Sequence, residues 1–352
     1  MRPGRTAALV GAALVFFAVT PHGAAGLRTT PDDVGAGLVR SLATAERRVG
    51  PTAPALLPIL APLAQLRFEH AELADATALR RRSLKIAIAA YGTGSVPAAE
   101  VMAALARLYI ELRRYLDAEP LALAAANILR ARGGEGDPAL APLLASVLAD
   151  EARIALARGE TARAQGFAES AIGIDKRNRV APRSDRLRVL GAALAAEERF
   201  DDSERLLRQA LALDRARGDR LATARSLAQL GKAYLRQKRF AEALPLIEEA
   251  TWIDQSLLGA THPLIAEDFH DLGLVYLGTD RPADAVKALR TAKDLLERGA
   301  GQDTPTLAYV EIDLAHAEHA LGHDDKTQSL FGSARRILNA AEDEEHRRQR
   351  QA

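Results

Sequence analysis

Two pairs of residues in the last third of the sequence have the side chains and the spacing of metal ligands. His316 and His319 are three residues apart, and so are Glu267 and His270. On a helix this spacing places both side chains of a pair on one face. Imidazole and carboxylate groups are ligands for Zn²⁺, Cu²⁺ and Ni²⁺. A metal site is therefore one hypothesis, and solvated histidines on a surface helix are the alternative.

The sequence contains no further pattern that supports catalysis. It has no Gly-rich phosphate loop with a Walker lysine, no GxSxG elbow and no HExxH motif. It also has no cysteine, which excludes a thiol nucleophile, and no serine has a histidine in a suitable register. We therefore predict a protein that is not an enzyme and that needs no cofactor.

Composition predicts an all-helical protein. Hydrophobic residues make up 48% of the chain and are mainly Ala and Leu, which are strong helix formers, whereas aromatic residues make up 4%. The 47 basic and 46 acidic residues nearly balance. This balance does not favour nucleic acid as a partner.

Residues 1–25 have the features of a secretory signal peptide. Arg2 and Arg5 precede an apolar run of 13 residues at 7–19, and the small residues of PHGAAG follow. The run is shorter than the roughly 20 residues of a membrane span. We predict cleavage after Ala25, with Ala24 as the alternative; a retained membrane anchor is the competing interpretation. With the Arg-rich and Ala-rich composition of GC-rich bacteria, the leader predicts a periplasmic or secreted bacterial protein that has no membrane span after cleavage.

The rest of the chain repeats one pattern of residues seven times. Small or polar residues recur at intervals of 39 to 46 residues, at Ala76, Ala118, Ala164, Ser203, Ala243, Ala285 and Thr327. Twelve residues before each of them lies Ala64, Ala106, Ala152, Gly191, Gly231, Gly273 or Ala315. Leu precedes this second column in six of the seven units, and Glu151 is the exception. Tyr109, Tyr234 and Tyr276 each follow the second column by three residues.

These columns resemble the tetratricopeptide repeat, in which Leu and Gly or Ala, then Tyr, then Ala occupy fixed positions on two paired helices. The long period and the THP element at 261–263 resemble the repeats of kinesin light chains. The resemblance covers residues 51–341. It implies an all-α, right-handed superhelical solenoid of about seven helix-turn-helix units, in which small residues let neighbouring helices approach closely.

The resemblance also implies that the first helix of each unit lines a concave groove. The pairs Glu267/His270 and His316/His319 would then lie side by side in adjacent units and could converge on one metal ion. Six basic residues fall on the same implied surface: Arg107, Arg153, Arg188, Arg225, Lys232 and Arg236. Because Arg binds carboxylates as a planar fork, these residues predict an acidic peptide or a chain terminus as ligand. Salt bridges with Glu100, Glu111 and Asp185 are the alternative.

We therefore predict four segments: a signal peptide at 1–25, an N-terminal capping helix within 26–50, seven repeats at 51–341 and a polar tail at 342–352. The predicted function is that of an exported, non-enzymatic scaffold or adaptor that binds a protein or peptide in its concave groove. A periplasmic metal-binding protein that uses the His/Glu cluster is the alternative.

Overall fold

The computed structural model describes residues 31–299 and 305–349, and these ranges are built from α-helices joined by short turns. No strand occurs within them. The helices are α1 (Pro31–Val49), α2 (Leu57–Glu69), α3 (Leu73–Tyr91), α4 (Val96–Glu111), α5 (Tyr115–Ala131), α6 (Ala141–Ala157), α7 (Thr161–Arg177), α8 (Ser184–Ala196), α9 (Phe200–Arg217), α10 (Arg220–Arg236), α11 (Phe240–Leu258), α12 (Ala266–Gly278), α13 (Pro282–Gly299), α14 (Pro305–Ala320) and α15 (Asp324–Gln349). Two short 3₁₀ segments, Pro54–Leu56 and Pro263–Ile265, directly precede α2 and α12.

Helices α2 to α15 form seven consecutive pairs, and each pair packs mainly on the pairs that flank it. Helix α1 packs on α2 at the start of the array. The predicted all-α solenoid of helix-turn-helix units is therefore confirmed. Within the described ranges, no helix combines the length and the apolar character that crossing a membrane would require.

The turn inside each pair has the same backbone conformation in all seven units. One residue at a fixed position has φ between 57° and 77°, which is left-handed backbone. Two of these residues are glycines, and the others are not: the set is Ala71, Arg113, Gly159, Glu198, Lys238, Asp280 and Gly322. The next N–H then donates to a carbonyl five residues earlier, as from Arg114 N to Tyr109 O at 2.8 Å. This hydrogen bond caps the first helix and reverses the chain.

The small-residue column lies where the two helices of a pair touch. A Cβ atom added at Gly273 would lie 2.4 Å from Leu289 Cγ, and one at Gly231 would lie 2.5 Å from Ile247 Cγ1. In both units a large side chain of the second helix therefore fills the space above the glycine.

Two other units have Ala on both sides of the same contact. Ala106 and Ala122 share one core cluster, and Ala152 and Ala168 share another. In the second to sixth units, the residue that follows the column by 16 positions is large where the column has Gly and small where it has Ala. The combined volume of the two side chains therefore determines which residues fit at this helix contact.

Two of the three tyrosines of the column join neighbouring units through arginine. Tyr109 Oη accepts a hydrogen bond of 2.7 Å from Arg81 Nε of the preceding unit, and Tyr234 Oη accepts one of 3.0 Å from Arg208 Nη2. In the last unit Glu318 occupies this position and accepts from Arg290 of the preceding unit. The carboxylate replaces the phenol as acceptor, so the seventh unit keeps the inter-unit bond without the tyrosine.

The ends of the chain differ from the repeats. Residues 1–30, which include the predicted signal peptide, lie outside the described residues. Helix α1 begins at Pro31, within the segment predicted to contain a capping helix. Helix α15 continues to Gln349, so helical structure extends into the segment predicted as a polar tail.

Candidate functional site

The first helices of the pairs surround a cavity on the concave side of the solenoid. Its volume is about 840 Å³, and its walls contain residues from α2 through α14. All six residues of the predicted basic surface line it. The walls nevertheless contain seven Lys or Arg residues and seven Asp or Glu residues, so carboxyl groups offset most of the positive charge of the lining.

An ion-pair network occupies the part of the cavity wall formed by α4, α6 and α10. Arg107 donates from Nε and Nη2 to Asp150 Oδ2, at 3.1 and 2.9 Å. Arg153 Nη2 donates to Glu111 Oε1 at 3.0 Å, and Arg225 Nη2 donates to Glu111 Oε2 at 3.2 Å. Among the predicted salt-bridge acceptors Glu100, Glu111 and Asp185, it is Glu111 that accepts hydrogen bonds from these arginines.

Glu111 is the electrostatic centre of this network. Burial alone would raise its pKa, but the positive charges of Arg153 and Arg225 and the hydrogen bond from Arg153 lower the pKa of Glu111 to about 2. The same interactions raise the pKa of Arg153 despite its desolvation. Both partners of the Arg153–Glu111 pair are therefore charged at neutral pH.

The remaining predicted basic residues differ in their surroundings. Arg188 is largely buried, and its Nη1 donates to Asp214 Oδ2 at 3.0 Å and to Ser226 Oγ at 3.3 Å. Lys232 forms ion pairs with Glu267 and, at 3.4 Å, with Asp271. Arg236 is exposed at the end of α10.

A pair of carboxyl groups lies in the wall formed by α11 and α12. Burial raises the pKa of Asp254 to about 6. Burial, followed by the charges of Asp254 and Asp271, raises the pKa of Asp268 well above its ordinary value. Because both pKa values are raised, the pair retains a proton where isolated carboxyl groups would have lost theirs.

The cavity is closed by a contact between the start of the array and the chain between α11 and α12. His262 is 1% exposed, and its Nε2 lies 3.0 Å from Phe68 O, at the end of α2. Its Nδ1 accepts a hydrogen bond of 3.2 Å from Leu264 N. Nε2 must therefore carry the proton and donate to Phe68 O. The rings of His262 and Phe68 meet edge to face, with centroids 5.7 Å apart.

Further contacts support this closure. Leu264 packs against a cluster that contains Phe68 and Leu108. Arg113, in the turn between α4 and α5, forms an ion pair with Glu267 of α12. The Arg225–Glu111 bond also crosses the cavity, from the fifth unit to the second. Sequence reasoning recognised the THP element as part of the repeat but did not assign this contact to His262.

The predicted metal ligands are not brought together. His270 Nε2 is 2.6 Å from Asp313 Oδ2, and Glu267 is engaged by cations. His316 packs edge to face on Phe331 of α15, with centroids 5.5 Å apart, and His319 is 71% exposed. Among the described residues, no group of three or more potential ligands could hold a metal ion. In the described residues the two pairs do not converge, because His316 faces the second helix of its own unit.

The fold and the repeat pattern define the class of protein. Residues 186–256 and 236–298 match the family model of the tetratricopeptide repeat. The predicted tetratricopeptide repeats are therefore confirmed over these residues. The fold is similar to that of BtubC (BKLC) from P. vanneervenii, with 19% identity, 66% of this chain and 92% of that chain covered, and a TM-score of 0.50. It is also similar to a Rap protein complexed with Competence and Sporulation Factor, with 13% identity, 83% and 78% covered, and a TM-score of 0.59.

Curated fungal proteins match part of this sequence. The Clustered mitochondria protein homolog of Aspergillus clavatus is 29% identical over 104 residues, which is 30% of this chain and 8% of that protein. The protein of the same description from Aspergillus niger has the same identity and coverage. The aligned part is thus a small fraction of the length of these relatives.

These relatives contradict the predicted bacterial periplasmic or secreted location. The relatives are fungal, and eukaryotic cells have no bacterial periplasm. Composition does not identify a bacterial source, because Arg and Ala are also strong helix formers. Their abundance therefore follows from a helical solenoid whatever the source of the chain.

Proposed function

We propose that the protein is a non-enzymatic scaffold or adaptor that binds a protein or peptide partner in its concave cavity. The tetratricopeptide-repeat fold supports this proposal, since stacked helix pairs create a continuous concave surface. The Rap protein with the similar fold was solved in complex with Competence and Sporulation Factor, so this architecture can hold a partner.

The observation that carries the proposal is the unused hydrogen-bonding capacity of the cavity arginines. The side chains of Arg107 and Arg225 are 50% and 40% exposed although both are paired. Arg107 donates to Asp150 from Nε and Nη2, so the Nη1 group remains available to a ligand. A guanidinium has five N–H donors and can bind a second carboxylate.

The charge balance of the wall makes the expected ligand more specific. The carboxylates of the wall already neutralise most of its cations, so a ligand with many negative charges would face repulsion from Asp150 and Glu111. We therefore propose a partner that presents one or two carboxylates, such as a chain terminus, rather than a long acidic tract.

The test is binding to a library of hexapeptides that are immobilised through their N-termini and end in a free carboxylate. Selected peptides are then measured with an amidated C-terminus and against Arg107→Gln. We expect each change to weaken binding by about tenfold or more, because a charge-assisted hydrogen bond contributes about 1.5 to 3 kcal/mol. Arg205→Gln is the matched control, since Arg205 lies on α9 with a side chain that is 65% exposed.

Higher salt should weaken the same interaction, since the ligand carboxylate and Arg107 would be partly screened. Peptide affinity that is unchanged by amidation, by Arg107→Gln and by salt would place the interface outside this cavity. It would then lie on the convex face or the helix edges.

A further inference from the structure

The solenoid contacts itself across its superhelical opening. Phe68 and His262 are 194 residues apart in sequence, yet they share a hydrogen bond and a ring contact. Most contacts in a repeat array join adjacent units. This contact instead joins the first unit to the segment that precedes the sixth, and it turns an open groove into a ring.

The ion pairs that cross the ring have an arrangement suited to reversible opening. Glu267 pairs with Arg113 across the ring and with Lys232 of the adjacent unit. Glu111 pairs with Arg225 across the ring and with Arg153 of the adjacent unit. If the ring opens, each carboxylate keeps one cation. Neither carboxylate is then left buried without a partner, which is the costly outcome when an ion pair breaks.

The size of the cavity limits what can bind within it. A volume of about 840 Å³ lies within the roughly 300 to 1,000 Å³ of sites for small ligands. A few residues of an extended chain fit such a volume, and a folded domain does not. A closed ring can accept a free chain end, whereas an internal loop of a folded protein requires the ring to open.

We propose that residues 261–264 form a latch, with His262 at its centre, that holds the solenoid closed and makes the cavity selective for short peptides. The choice of a peptide as the ligand rests on the proposed function. The closure and the size limit can be tested without any ligand, so their failure is distinguishable from a failure of peptide binding.

The first experiment measures closure. The chain has no cysteine, so spin labels can be placed at Ala74→Cys and Ala260→Cys, which are exposed positions on the two sides of the latch. We expect one narrow distance distribution for the parent and a longer, broader one after His262→Ala. A second pair of labels is placed at Gln209→Cys and Glu248→Cys, on the nearby helices α9 and α11. Its distance distribution should not change after His262→Ala. His319→Ala, which removes an exposed histidine, is the control substitution.

The second experiment measures the size limit. Gln229 lines the cavity, and Gln229→Cys can be treated with a small maleimide or with a maleimide attached to a folded carrier protein. With the latch intact the small reagent should react and the carrier should react slowly. His262→Ala should accelerate the carrier reaction by about tenfold, because loss of a buried hydrogen bond shifts an equilibrium by about that factor. Gln209→Cys, outside the cavity, should react with both reagents at unchanged rates.

Either of two results would overturn the latch. The first is a parent whose label distances are already broad, or unchanged by His262→Ala. The second is a Gln229→Cys protein, with His262 intact, that reacts with the carrier as readily as the external Gln209→Cys control does. Should a substitution at His262 unfold the protein, Arg113→Gln replaces it, since that change removes a cross-ring ion pair from the turn between α4 and α5.

Discussion

Gly273 and Leu289 allow the packing rule of the repeat to be tested by substitution. Leu289 Cγ lies only 2.4 Å from the position of an added Cβ at Gly273, and Leu289 is fully buried. Real Cβ contacts do not reach this distance, and Cγ is not the mobile end of the side chain. Gly273→Ala must therefore displace Leu289 or separate α12 from α13.

The magnitude follows from two opposing effects. Overpacking a well-packed core costs about 1 to 3 kcal/mol. Replacing Gly by Ala inside a helix stabilises it by about 0.5 to 1 kcal/mol. Gly166→Ala isolates the second effect, since Gly166 is an exposed residue within α7 and an added Cβ there has no atom within 4 Å. Gly273→Ala should therefore be less stable than Gly166→Ala by about 1 to 3 kcal/mol.

The double variant gives the sharper result. Leu289→Ala alone should lower the free energy of unfolding by about 2 to 5 kcal/mol, since it leaves a cavity. Gly273→Ala/Leu289→Ala recreates the Ala/Ala pair of the second and third units. It should lose less stability than the sum of the two single variants, by an interaction energy of about 1 to 3 kcal/mol.

Equilibrium urea unfolding followed by circular dichroism, with hydrogen exchange of the α12 and α13 amides, measures these differences. Additive single variants, or a Gly273→Ala protein as stable as Gly166→Ala, would refute the volume rule for this contact.

Substitutions at three further residues test the charged groups. Asp254 has a raised pKa, so the pair it forms with Asp268 stabilises the fold below the ordinary pKa of 3.8, and this stability is lost as pH rises through about 6. Asp254→Asn should therefore flatten the pH dependence of the melting temperature in that window. An unchanged profile would contradict the shared proton. The pKa shift of Glu111 has the opposite sign, so its contribution to stability is present above its ordinary pKa of 4.5 and is lost as pH falls toward about 2. Glu111→Gln should lower the free energy of unfolding at pH 7, measured in urea, by about 1.5 to 3 kcal/mol. No change in stability would mean that water replaces the bonds to Glu111. Glu318→Ala should destabilise the last unit by about 1 to 3 kcal/mol, and Glu318→Tyr should retain more of the stability. Equal hydrogen-exchange protection of α14 in both variants would contradict the role of the Glu318 carboxylate as the acceptor that replaces a tyrosine hydroxyl.

Local periodicity was sufficient to predict the fold. The Gly and Ala columns, the Leu row and the aromatic turns each depend on contacts within one unit or between adjacent units. Such contacts have a fixed spacing in sequence, so they can be read from one chain. Glu318 breaks the tyrosine column, and residue type alone does not reveal that Arg290 lies opposite it.

The site was harder to predict because it depends on relations between units. Helical spacing placed His316 and His319 on one face, but it could not establish that His316 faces Phe331 rather than the cavity. The six basic residues do line the cavity, whereas their acidic partners were mostly missed. Ion-pair geometry depends on the rotation between successive units, and that rotation is not encoded in a single motif.

The contact between Phe68 and His262 also has a consequence for the order of folding. Each helix pair can form from local contacts, but a bond that spans 194 residues requires all the intervening pairs to be stacked with the correct rotation. The ring should therefore close last during refolding and release first during unfolding, because non-local contacts form only after the chain between them is ordered. A substitution in the middle of the array that alters the stacking rotation would then separate Phe68 from His262, although it touches neither of them. The middle units of this solenoid are therefore coupled in folding to the first unit and to the start of the sixth, in a way that a linear repeat array is not.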